Sequence, residues 1–144
     1  MNTVNIRKLI DGPRHALFLV FIKSDGTGTE LVDQTIIDPR LDLSPQLVKG
    51  QVLSLVKVWY GLAGFDVKIG FKSDAQPYMV PVWVIPAGTL SGHVNFSEFG
   101  GISDKSGIDS SGKIVISTNG LATPADQGSL IIKVSKHDDK FVMP

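Results

Sequence analysis

From Phe65 to Lys72 the chain alternates without interruption: Phe65, Val67, Ile69 and Phe71 fall on one parity, and Asp66, Lys68, Gly70 and Lys72 on the other. Successive side chains of a strand point to opposite sides of a sheet, so this rhythm describes a sheet packed on one face and wet on the other. A helix cannot satisfy it. The same reading, extended along the chain, predicts strands over Val4–Ile10, Ala16–Lys23, Glu30–Ile37, Gln51–Tyr60, Phe65–Lys72, Tyr78–Ile85, Gly92–Glu98, Lys113–Thr118 and Ser129–Ser135.

Turn formers separate these segments. Asp11-Gly12, Asp25-Gly26 and Asn119-Gly120 tolerate positive φ, while Pro13, Pro39, Pro45, Pro77, Pro86 and Pro124 interrupt any long helix. Ser44-Pro45 reads as the cap and first residue of a helix, which Gly50 limits to a turn or two. Pro81 has no N–H to give a ladder and marks its strand as an edge. Many short strands at this spacing imply an all-β fold, an antiparallel sandwich or barrel of about eight to nine strands with at most a short helical turn. At 144 residues, with no shift in composition, one domain spanning the whole chain is expected.

Gln51–Lys72 reads as a hairpin, with Gly61-Leu62-Ala63-Gly64 joining its arms. In the first arm Val52, Ser54, Val56, Val58 and Tyr60 share one parity, and Leu53, Leu55, Lys57 and Trp59 the other. Both faces are partly apolar, as in a central strand or one whose outer face meets a second surface.

The absence of cysteine excludes a disulfide-built scaffold and thiolate chemistry. Basic and acidic residues are equal at 14 each and the cations are scattered, so nucleic acid is not an expected partner. Ala16–Ile22 is apolar, but Asp11 precedes it and no small-residue cleavage site follows; it reads as a buried strand, too short to span a bilayer. No membrane partner is expected.

Gly107-Ile108-Asp109-Ser110-Ser111-Gly112-Lys113 imitates a phosphate-binding loop, yet Ile114 stands where the magnesium-binding hydroxyl belongs and Val115-Ile116-Ser117 reads as strand. His15, His93 and His137 show no ligand spacing, and Asp104 and Asp109 lack the alternation of a calcium loop. No Gly-x-Ser-x-Gly elbow is present, and an enzyme would have only His15, His93 and Asp104 to draw on. The expectation is therefore of no enzyme, no cofactor, no metal and no small-molecule substrate. Gly100–Gly112 is the longest candidate loop, and Asn95-Phe96-Ser97 matches a glycosylation acceptor. Trp59, Tyr60, Tyr78 and Trp83 suit a core, a protein interface or a sugar platform. Asp11-Gly12-Pro13-Arg14-His15 combines rigid geometry with charge, and would hold the Arg14 guanidinium at a defined place.

That same opening, Leu9-Ile10-Asp11-Gly12-Pro13-Arg14-His15-Ala16 running into an apolar strand and then Ser24-Asp25-Gly26-Thr27-Gly28, resembles small virion structural proteins of tailed bacteriophages over the first quarter of the chain. The resemblance implies a capsid decoration, or cement, protein that is made in the host cytoplasm and placed on the virion surface. Its partners would be the major capsid protein and copies of itself. Arg14, His15, Leu53, Trp59, Tyr60 and Trp83 are the interface residues expected on the physical reading. The alternative is a neck, tail or host-recognition module, carbohydrate-binding through Trp59 or Trp83.

Overall fold

The computed structural model describes residues 2–12, 14–38, 51–72, 79–87, 91–97, 101–103 and 113–138. Ten strands cover them: β1 (Thr3–Asp11), β2 (His15–Lys23), β3 (Gln34–Ile37), β4 (Gln51–Ala63), β5 (Asp66–Lys72), β6 (Val80–Ile85), β7 (Gly92–Asn95), β8 (Ile102–Ser103), β9 (Lys113–Asn119) and β10 (Gln127–Asp138). Each of the nine expected strands has its counterpart. The tenth, β8, lies in the stretch read from sequence as loop, of which 100 and 104–112 are outside the described residues, as is the expected turn of helix after Ser44.

The strands form two antiparallel sheets. The larger runs β1-β2-β10-β4-β7, with β8 also on β4; the smaller runs β3-β9-β5-β6. Their inner faces bury one apolar cluster, to which β2 brings Phe18, Val20 and Ile22, β10 brings Leu130, Ile132 and Val134, β9 brings Ile114 and Ile116, and β5 brings Val67, Ile69 and Phe71. Parity in β5 is as the sequence implies, and Pro81 lies in the edge strand β6, opposite Gly70.

Gln51–Lys72 is not a hairpin: β4 belongs to the larger sheet and β5 to the smaller, so the chain crosses between layers at Gly64-Phe65. Gly64 makes the crossing with φ +91°, and the Asp126 carboxylate occupies the space where a Cβ would stand. Phe65 drops directly into the core. Turn-forming residues mark a reversal of direction, but do not tell a hairpin within one sheet from an arch between two.

The two-faced character of β4 has a local cause as well. Its register against β10 slips between Lys133 and Val134: Lys133 faces Lys57, and Val134 faces Leu55, so Val56 is the extra residue of a β-bulge. Leu53 and Leu55 on one side of the bulge, and Val58 and Leu62 on the other, all reach the same core. The Val56 carbonyl accepts the Phe96 N–H at 2.7 Å, in the gap between the β7 and β8 pairings.

The β2–β3 connection carries the chain from one sheet to the other alongside β9. Leu31 N–H donates to Thr118 Oγ1 at 2.9 Å and Asp33 N–H to Ser117 Oγ at 2.9 Å, while Thr118 N–H donates to the Leu31 carbonyl at 3.0 Å, so side chains interrupt the ladder there, and the strand expected from Glu30 begins at Gln34.

Candidate interaction surfaces

The interface residues expected from sequence do not form one patch. Arg14 and His15 are exposed in the β1–β2 turn, closed by a bond from Gly12 N–H to the His15 carbonyl at 2.8 Å. Leu53 corrects its expected place: it has no exposed surface and lies in the core, because the bulge at Val56 turns its parity inward. Tyr60, beyond the bulge, also turns inward; it is half-buried against the core, with its ring over Gly92. Trp59 stays on the outer face of the larger sheet, half-buried, with Lys57 Nζ 4.6 Å from its ring centre. Trp83 lies on β6 of the other sheet, 40% exposed, and meets Phe96 edge-on at 5.7 Å.

The polar groups that do converge hold loops. Glu30 accepts three hydrogen bonds, from Thr118 Oγ1 (2.9 Å), Gly120 N–H (2.7 Å) and Leu121 N–H (3.0 Å). Asp126 Oδ2 accepts the Thr123 and Ala122 N–H groups, each at 3.0 Å, and these bonds hold its carboxyl below the ordinary range. Sequence reasoning did not find either clamp. Their only local signal is an acid near a turn, at Gly26-Thr27-Gly28 and at Pro124-Ala125.

His15 begins β2 and His93 lies on β7. No group of three or more potential metal ligands forms among the described residues. Lys113 opens a strand, which leaves the imitation phosphate loop without the helix that such a loop requires. Asn95 Oδ1 accepts the Ser97 N–H at 2.9 Å.

The apolar surface is more telling. Two of the four end strands carry exposed hydrophobic side chains: Ile6, Leu9 and Ile10 (56%) on β1, Val80, Trp83 and Val84 (50%) on β6. Trp59 and Tyr60, with Gly61, Ser91, Gly92, Ser129 and Ile131, border a shallow concavity of about 330 Å³.

No protein-family model matches this chain, and no curated protein matches it. Among solved structures it is similar to a chain of Bacillus endospore appendages, described as a novel family of disulfide-linked pili: 13% identity, 93% of this chain and 97% of that one covered, TM-score 0.39. That degree of likeness assigns no role.

Proposed function

We propose that this chain is a non-enzymatic structural component of a tailed-bacteriophage virion: a decoration protein, made in the host cytoplasm, that binds the major capsid protein on the outer surface of the shell and associates with copies of itself. In this reading nucleic acid, membrane and small-molecule substrates are not its partners. The observation that supports it is the apolar surface of the end strands β1 and β6. Natural sheet edges are commonly blunted by charge, proline or a covering segment. Here β6 contains no charged residue, and its Pro81 removes one ladder donor, so contact there would be by side-chain packing around Trp83 and Val84. β1 contains no proline but carries the charges of Arg7, Lys8 and Asp11 between its apolar side chains.

Weak individual contacts suffice on a lattice, where neighbouring copies raise one another's effective concentration. The test is mass spectrometry of purified particles, followed by binding of the recombinant chain to particles stripped of it. The expected result is its presence in many copies and saturable rebinding. Absence from the particle refutes the proposal.

The concavity beside Trp59 favours a second reading, host recognition through a sugar stacked on that ring. A glycan screen without a hit removes it.

A further inference from the structure

Across the larger sheet the outward side chains stand in register. Arg7 pairs with Leu19, Leu19 with Ile131, Ile131 with Trp59 and Trp59 with His93, so one row crosses five strands. Phe21 lies in the row on one side, and Leu17 in the row on the other, beside the pair Lys133 and Lys57. Leu17, Leu19, Phe21, Ile131 and Trp59 are each half-buried, which gives this outer face a continuous apolar centre.

The charges around that centre have one sign. Arg7, Lys23, Lys57 and Lys133 point outward from this face, and none of Asp11, Asp25, Glu30, Asp33, Asp38, Asp66 and Asp126 does so. Asp11 pairs with Ala16, on the inward parity, and Asp25, Glu30 and Asp33 lie in the β2–β3 connection. With equal numbers of acids and bases in the whole chain, this is segregation and not excess. The outward face of the smaller sheet is mixed, with Asp66 at one end of β5, Lys68 next to it, and Lys72 paired with Lys113 at the other end, and it offers no acidic complement.

We infer that the outer face of the larger sheet is the docking face of this chain, and that it takes an acidic patch on another protein, with an apolar centre to match. Complementary charge fixes register and speeds encounter, while desolvation of the centre supplies affinity. Lys57, laid over the Trp59 ring, has its charge held at the patch before a partner arrives. A protein fits better than a phosphate polymer: four cations are spread around a flat apolar field, where a nucleic-acid site would line them along a track.

The inference rests on the docking role proposed above, but not on the partner being a capsid. The test is carbodiimide cross-linking, which joins lysines to carboxylates in direct contact, applied to the full chain on purified particles and in clarified lysate of the producing cells. Cross-links from Lys57 or Lys133 to acidic residues of the capsid protein are the expected result. If those lysines cross-link instead to a different protein, the face stands and the virion reading falls. Cross-links to the capsid only from Lys68, Lys72 or Lys113 leave the virion reading standing and overturn the face, as does a lack of any from Lys57 and Lys133 in both samples. Against the partner so identified, K57Q/K133Q should bind about tenfold more weakly with a flatter salt dependence, while K68Q/K72Q stays within about twofold. Binding to a mixed-sequence DNA duplex or to phosphatidylglycerol vesicles that K57Q/K133Q abolishes, at the salt used for the protein partner, would assign the face to phosphate and overturn the inference.

Discussion

Leu53 provides the sharpest test of how β4 is built. Its side chain has no exposed surface and packs in the cluster shared by both sheets. Leu53→Ala removes the transfer energy of the lost carbons and leaves a void lined by rigid neighbours, a combined cost of about 2 to 5 kcal/mol. Taking about 3 kcal/mol, and a urea dependence of about 2 kcal/mol per molar, the unfolding midpoint should fall by about 1.5 M. An outward Leu53 would behave as a surface site, with a change of about 0.5 kcal/mol or less. The assay is equilibrium urea unfolding of the isolated chain, followed by fluorescence and by far-ultraviolet dichroism. A midpoint within about 0.3 M of the wild type would place Leu53 outside and refute the bulge, since that is what turns it inward. Deleting Val56 probes the bulge itself. With the extra residue gone, Leu53, Leu55, Val58 and Tyr60 fall on one unbroken parity, so the inner set keeps its face and the Phe96 N–H loses its acceptor. The expected cost is about 1 to 3 kcal/mol with the fold retained. If β4 had no bulge, the same deletion would flip half the strand and abolish folding.

Gly64→Ala should destabilise by about 1 to 3 kcal/mol, because its positive φ and the adjoining Asp126 carboxylate leave no room for a methyl group; an unchanged thermal midpoint would contradict this. Glu30→Ala removes the acceptor of three hydrogen bonds and should cost about 1 to 3 kcal/mol, with Glu30→Gln intermediate, measured by the same unfolding. The Asp126 carboxyl is held below its ordinary value in the folded chain, so the unfolded chain takes up the proton first as pH falls. Its contribution is therefore complete above about pH 4 and is lost below it. Stability of the wild type should fall toward that of Asp126→Asn as pH drops from about 5 to 2, and a constant difference between the two would remove the assignment. Arg14→Ala, at an exposed turn, should leave stability within about 0.5 kcal/mol in thermal unfolding.

Where burial follows strict parity, the sequence was sufficient. Val67, Ile69 and Phe71 are inward as their alternation implies, and the apolar run Ala16–Ile22 resolves into buried Ala16, Phe18, Val20 and Ile22 with half-buried Leu17, Leu19 and Phe21 between them. Pro81 correctly marked an edge, since the missing donor acts locally. What could not be read was anything set by distant partners. The position of β10 between β2 and β4 leaves no trace in local pattern, and Gly61–Gly64 looks the same for a hairpin and for a crossing between sheets. The bulge had a signal that went unused. Apolar parity in β4 changes phase at Val56, from Leu53 and Leu55 to Val58 and Leu62, and a phase change within a strand is the mark of one inserted residue. Of the expected interface residues, Trp59 lies on the proposed docking face and Trp83 on an apolar end strand. The cationic rim was hidden because Arg7, Lys23, Lys57 and Lys133 are scattered in the chain and meet only through register.

β10 fills the middle of the larger sheet, pairing with β2 along Gln127–Ser135 and with β4 along Gln127–Asp138. During synthesis the ribosome delivers both flanking strands long before the one that joins them. Until then the nascent chain holds two separate strand ladders, each with an apolar margin awaiting the same late arrival. Completion of this sheet should thus wait until Gln127–Asp138 has emerged, and chains halted before Gln127 should be captured by chaperones or precipitate, while chains that carry β10 close around it.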